Sequence, residues 1–274
     1  MSMDMKGLFC NECGLSVAIP YIIAREVLGM EQLELTERRY EVMRENYGYG
    51  YAEWQGRFGE GMSPFRGYKD TTSVTMRVSH PYFRQAIEAT GKGAIGVDLP
   101  TWFNCGAERR HIMIIAQAPL RSNKWYGECV DAVVSSPFGL HDREHRERGN
   151  GGKMVNLLVR ELTAQGYGVY LTDVDKYFIY DRETTERFAQ RCRERYAEVL
   201  RREMLCVSPR ICVCFGTEAR DAARELGVEN LLALPHMSGA ARGAMVRRFP
   251  ELKEEGATAE NAARVYAEEI LKHI

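Results

Sequence analysis

No surplus of basic charge runs through this chain: 37 lysines and arginines stand against 38 aspartates and glutamates, for a net charge of −1. A protein that grips nucleic acid over a broad surface usually shows a basic excess, so any such contact here must come from a local patch. Long apolar runs are missing as well. The longest fall far short of the roughly 20 residues a membrane-spanning helix requires, so no membrane partner is expected. No charged-then-apolar leader with a small-residue cleavage site opens the chain, and secretion is not expected. The eight cysteines show no disulfide-like spacing, which fits a reducing, cytoplasmic compartment. Internal repeats and low-complexity tracts are also lacking. What is present is 274 residues with 45% hydrophobic side chains, enough for one large α/β domain or a domain with a sizeable extension.

Three segments far apart in the chain share one design: Ile112-Met-Ile-Ile-Ala-Gln-Ala-Pro119, Tyr170-Leu-Thr-Asp-Val-Asp-Lys176 and Leu234-Pro-His-Met-Ser-Gly-Ala-Ala-Arg242. Each starts as an apolar, β-prone run and ends in small or polar residues, the pattern of a buried parallel strand emptying into a loop. Ligands of open α/β sheets bind just outside the carboxyl ends of such strands. From residue 111 onward, strands and helices alternate. Strands are expected at 112–116, 168–174, 211–215 and 231–234. Helices are expected at 152–165 (stopping at Gly166), at 184–205, after Gly216, and twice near the C-terminus. Such alternation predicts a parallel sheet with helices on both faces.

The first 105 residues read differently. Helical spacing covers 31–47, and a helix over 81–90 is capped by Ser79 and closed by Gly91. Between them, 47–69 is rich in glycine and aromatics, among them Tyr49, Trp54 and Phe65, with Arg57, Arg66 and Lys69 interleaved. Aromatic faces with cations can stack single-stranded nucleic acid. The alternative is an aromatic-stapled loop packed on the main domain.

The order of these motifs resembles the uracil-DNA glycosylase superfamily. There a Gly-x-x-Pro turn follows the first strand, Thr-Asn-x-x-Lys the second, and a His-x-Ser loop the last. Ser136-Pro137-Phe138-Gly139 resembles the family's Pro-Phe-Val-Gly segment, and Ile211-Cys-Val-Cys-Phe-Gly216 its penultimate strand. The resemblance covers roughly residues 105–250 and is closest in pattern to the family-four, iron–sulfur type. It implies a three-layer α/β/α domain with a central parallel sheet over 106–274, and an N-terminal extension, 1–105, packed on it. The implied activity is recognition of a modified base in damaged or single-stranded DNA and its excision by hydrolysis of the N-glycosidic bond. Two other readings stay open: a catalytically silent nucleic-acid-binding relative, and an enzyme acting on a nucleoside or nucleotide on the same scaffold.

The family's roles carry over residue by residue. His236 matches the histidine that stabilises negative charge on the departing base, which is oxyanion-hole logic; a structural hydrogen-bonder is the alternative. Phe138 matches the aromatic on which the extruded base stacks, with a loop Phe packed into the core as the alternative, and Ala118 lies in the turn that borders the base. Ser238 and Arg242 match the loop that presses on DNA to help push the nucleotide out of the stack. Ser238 also suits the N-cap of a helix over 239–248, and Arg242 a solvated charge on that helix. Lys176 closes the second motif and is expected at the DNA.

Two positions depart from the pattern. Asp173 stands where the family has Asn. An amide both donates and accepts, whereas a carboxylate only accepts, which suits a base edge presenting two donors, as guanine-like purines do. Otherwise a raised pKa lets the neutral acid donate, or Asp173 serves the loop itself. Gln117 lies in the turn where active uracil glycosylases carry an acid. It can orient a water but cannot take its proton, and a general base contributes about 10²–10⁴-fold.

Cys10-x2-Cys13 resembles the start of the family-four cluster motif, with Cys192 in its fourth place, but Tyr177 stands where the third cysteine belongs. Cluster ligation normally takes four thiolates; Cys105 is a possible substitute, and an iron–sulfur cluster, zinc or free thiols stay open. Cys206, Cys212 and Cys214 read as buried packing residues. The loop 141–153 mixes acids and bases and reads as solvated, with Arg146 and Lys153 as possible phosphate contacts and Asn150-Gly-Gly able to approach a backbone closely.

Overall fold

The computed structural model describes residues 17–18, 74–76, 95–98, 100–104, 107, 109–118, 132–135, 137–140, 147, 150–176 and 182–274. The helices expected at 31–47 and 81–90 and the aromatic-rich stretch 47–69 lie outside the described residues.

Nine strands are described: β1 (Val17–Ala18), β2 (Val74–Met76), β3 (Ile95–Asp98), β4 (Thr101–Phe103), β5 (His111–Ala116), β6 (Ala132–Ser135), β7 (Gly168–Asp173), β8 (Ile211–Phe215) and β9 (Leu231–Leu234). The described helices are α1 (Asn150–Ala164), α2 (Arg182–Val207), α3 (Thr217–Glu225), α4 (Arg242–Arg248), α5 (Glu251–Glu254) and α6 (Ala259–Leu271), with 3-10 turns at Pro137–Gly139 and Gly239–Ala241. The main sheet has the order β1-β4-β7-β5-β8-β9, and β2, β6 and β3 form a small second sheet.

The four strands expected from the apolar runs, β5, β7, β8 and β9, pair in parallel as predicted. Burial explains their composition, since β5 from Ile112 and all of β7 and β8 are buried. A strand covered on both faces reads as a continuous apolar run. The sheet as a whole is mixed, however. β4 runs antiparallel to β7, and β1 antiparallel to β4. The central strands are thus parallel as expected, and residues 17–18 and 101–103, assigned to the extension, add an antiparallel edge.

Alternation along the strands separates two layers. Ile112, Ile114, Val169, Leu171, Val213 and Phe215 pack with Leu158 and Val159 of α1 and Val265 and Tyr266 of α6. Met113, Ile115, Tyr170, Cys212 and Cys214 pack with Leu200 and Val207 of α2 and Ala219 and Ala223 of α3. This is the three-layer α/β/α architecture. Each fully buried Leu, Val or Phe contributes about 1.5–3 kcal/mol relative to exposure. Burial lifts the thiols of Cys212 and Cys214 to about 11 and about 12, so these two behave as inert packing groups.

Candidate functional site

The carboxyl ends of β7, β5, β8 and β9 deliver the candidate residues in that spatial order. Register places Asp173 opposite Ala116, and Phe215 opposite Leu234. With Ile115 opposite Cys214, Ala116 falls beside Phe215. By alternation, Asp173, Ala116 and Phe215 then face the α1/α6 layer. Two strand spacings separate Asp173 from Phe215, roughly 10 Å, with Ala116 on the strand between them. Ala118, just beyond β5, is half-buried.

Over this shelf sits an aromatic cluster. Phe138 lies 6.0 Å from Phe215 in an edge contact and 5.7 Å from His236, tilted by 38°. Phe215 in turn is 6.3 Å from His236 and 5.9 Å from Tyr266. Phe138 adopts φ 58°, ψ 14°, a left-handed conformation that costs a non-glycine residue roughly 1–2 kcal/mol. Its neighbour Gly139 follows at φ 64°. This tight turn half-buries the phenyl ring against the core instead of letting it follow the chain.

His236 is held from both sides. The Tyr266 hydroxyl donates to the Pro235 carbonyl at 2.9 Å, and the Met237 side chain is fully buried. Ser238 N–H donates back to the His236 carbonyl at 2.9 Å. Burial holds the imidazole below its ordinary pKa of 6.5, so the neutral ring, a donor at one nitrogen and an acceptor at the other, predominates at neutral pH. The first turn of α1 presses on the same loop: a Cβ at Gly151 would stand 3.2 Å from the Met237 carbonyl. The close backbone approach expected of Asn150-Gly-Gly is thus made to the chain itself.

Ser238 occupies the N-cap position in extended conformation, but its side chain makes no capping bond. The expected single helix over 239–248 is instead a 3-10 turn followed by α4. Arg242 is exposed at the start of α4, and Arg247 and Arg248 follow in its last turn. Arg248 is paired with Glu269. Arg242 and Arg247 are both exposed, at the two ends of this helix. Lys153 bonds Glu260 at 2.6 Å, and Arg146 lies outside the described residues.

Lys176 is not at the surface. It is 3% exposed, and its ammonium donates to Thr172 Oγ1 at 2.9 Å, Glu203 Oε2 at 2.8 Å and the Asp173 carbonyl. All three of its protons are used, so the expected DNA contact is corrected to an internal tie. Glu203, from α2, is itself fully buried and accepts from Thr172 Oγ1 at 2.7 Å and Tyr170 OH at 3.1 Å. The network locks the end of β7, where Asp173 is buried. Glu203 and Tyr266 escaped the sequence reading because their partners lie 27 and 31 residues away.

Gln117 parts company with His236 and Phe138. It lines a cavity of about 470 Å³ on the α2/α3 side, together with Val174, Asp175, Tyr196, Leu200 and Glu218. One pocket holding Gln117, Phe138, Asp173 and His236 was expected. Instead Phe138 and His236 meet in the aromatic cluster, and Gln117 opens onto the cavity at the other side of the strand ends. Asp175 shares that cavity, and its carboxyl is pushed up to about 6, chiefly by burial. The motif pattern offered no signal for it, since it occupies an unspecified position between Asp173 and Lys176.

Cys10 and Cys13 lie outside the described residues, as does the side chain of Cys192. Among the described residues, no group of three or more His, Cys, Asp or Glu is arranged to hold a metal ion.

A family model described as the uracil DNA glycosylase superfamily matches residues 103–255, more than half of the chain. Comparison with curated proteins and with solved structures found no match.

Proposed function

The chain belongs to the uracil-DNA glycosylase superfamily, and from that membership we propose that it recognises a modified base in DNA and removes it by hydrolysing the N-glycosidic bond. The observation that carries this reading is the 5.7 Å approach of Phe138 to His236. A base stacked on the open part of the phenyl ring has its edge beside the imidazole. His236, neutral through burial, donates a hydrogen bond to a base carbonyl and stabilises the charge that grows there as the bond breaks. Asp173 reads the other edge. As an acceptor only, it favours a base presenting donors and disfavours uracil. Arg242 and Arg247 supply the phosphate contacts, and the 238–242 loop supports extrusion of the nucleotide.

The test is an excision screen over oligonucleotides carrying uracil, hypoxanthine, xanthine and other lesions, with His236→Ala as control. Excision of at least one lesion that is lost in His236→Ala is the expected result. Tight lesion binding with no cleavage would replace the enzyme by a silent binding relative, the reading that the amide of Gln117 favours when taken alone.

A further inference from the structure

We propose that Tyr266, on the C-terminal helix α6, is a positioning residue of this site: its hydroxyl, bonded to the Pro235 carbonyl, aims the His236 imidazole beside Phe138. The proposal rests on the glycosylase reading above. It extends the site to a helix that lies beyond the family-matched residues 103–255.

Local sequence brings Tyr266 to this place. Thr258 caps the first turn of α6, accepting from the Asn261 N–H at 3.2 Å. The Asn261 side-chain amide donates to the Glu255 and Gly256 carbonyls at 3.1 and 3.0 Å, which ties the helix start to the chain before it. Ala262, Tyr266 and Ile270 follow at four-residue spacing on one face, and all three are fully buried. Glu269 is paired with Arg248, and the Tyr266 ring lies 4.9 Å from that of Phe249, so the helix is fastened to the end of α4 as well.

A buried phenol needs a partner for its O–H, and the chain supplies one just past the sheet. β9 ends at Leu234, whose carbonyl accepts from Gly216 N–H at 2.9 Å. The next carbonyl, that of Pro235, has left the ladder and accepts from the Tyr266 hydroxyl at 2.9 Å. It lies in the planar peptide that joins Pro235 to His236. The peptide on the other side of His236 is tied too, because its carbonyl accepts from Ser238 N–H at 2.9 Å. With both flanking planes held, the direction of the His236 side chain is set. The Tyr266 ring adds a second support. It stands 5.9 Å from Phe215, whose ring lies against both Phe138 and His236. Burial pushes the phenol pKa above the ordinary 10, so the hydroxyl keeps its proton and goes on donating at neutral and mildly alkaline pH.

The experiment compares the full chain with Tyr266→Phe, which keeps the ring and removes the hydroxyl. Ile270→Val is the control, trimming the same buried face of α6 while leaving the bond to Pro235 intact. Two quantities are measured: single-turnover excision on the lesion the screen identifies, and the NMR titration of the His236 imidazole, whose signals are those missing from His236→Ala. Tyr266→Phe is expected to lower the rate about 10–100-fold, as misplacing a reacting group does. Its lesion-DNA affinity is expected to stay unchanged, because Phe138 and the ring behind Phe215 remain. Its imidazole is expected to titrate higher, toward the ordinary 6.5, as the released loop admits water to the ring. Ile270→Val is expected to match wild type in both. An unchanged rate or an unchanged titration in folded Tyr266→Phe overturns the proposal. So do equal changes in Ile270→Val, which would trace the effect to core packing. In each case, wild-type excision that depends on His236 leaves the glycosylase reading standing. Absence of excision on every lesion would remove that reading, and the imidazole titration would then decide by itself whether Tyr266 holds the ring.

Discussion

The rings of Phe138 and His236 lie 5.7 Å apart, although the two residues come from a 3-10 turn before α1 and from the loop after the last strand. Phe215, at the end of β8, touches both. The three rings are therefore one packed unit, and in the proposed function it joins the stacking platform to the group beside the leaving base. Phe138→Ala should weaken binding of lesion-containing DNA by about 1–3 kcal/mol, measured by equilibrium titration, while Phe138→Tyr retains most of it. Phe138→Gly should bind as poorly as the alanine variant yet unfold at higher denaturant, because glycine adopts φ 58° without strain.

Asp173→Asn should raise affinity for uracil-containing DNA, because the amide restores a donor at nearly constant size. Binding is the clean readout, since turnover also depends on the water-activating group. Strong uracil excision by the natural protein, lost in Asp173→Asn, would reverse the role assigned to the carboxylate.

Arg242→Ala should reduce the slope of log affinity against log salt by about one, the signature of one lost phosphate contact. Folded variants of Lys176 should leave that slope unchanged, because its ammonium is spent on internal acceptors.

Lys176→Met should destabilise the fold by about 3–5 kcal/mol, since it strands the fully buried Glu203 carboxylate. The double variant Lys176→Met/Glu203→Leu should cost less than the two single losses combined. Urea unfolding of the three proteins measures the coupling.

Asp175 also predicts a pH-dependent stability. Its folded pKa of about 6 lies above the ordinary 3.8, so the native state binds the extra proton between these values. The associated stability is fully present below 3.8 and lost as pH rises through about 6. Asp175→Asn should therefore unfold later than wild type at pH 7, by about 1–3 kcal/mol, with the difference vanishing near pH 4. Equal midpoints at both pH values would refute this assignment.

The strand–helix alternation from residue 111 was legible in the sequence because a strand buried on both faces must be apolar throughout. β8 and β9 fell on the expected residues, 211–215 and 231–234, and the motif order pointed to the superfamily before any geometry was known. The antiparallel edge was not legible, because β4 and β1 span three and two residues and carry too little periodicity to read. His236, Asp173 and Phe138 could be singled out as candidates from sequence, since each sits at a strand end or in a matched motif. Direction was another matter. Lys176 reads as a loop cation and turns inward only because Glu203, on α2, waits beneath the sheet. Gln117 follows a strand whose alternation sends successive side chains to opposite faces, so its side depended on where β5 stops. Asp175 became distinctive only when α2 and α3 closed over it, because burial, not local sequence, raises a carboxyl's pKa. The sequence by itself determined the layers and the chemistry available at their edge. The packing of distant helices against the sheet decided which of those groups is buried, paired or free to act.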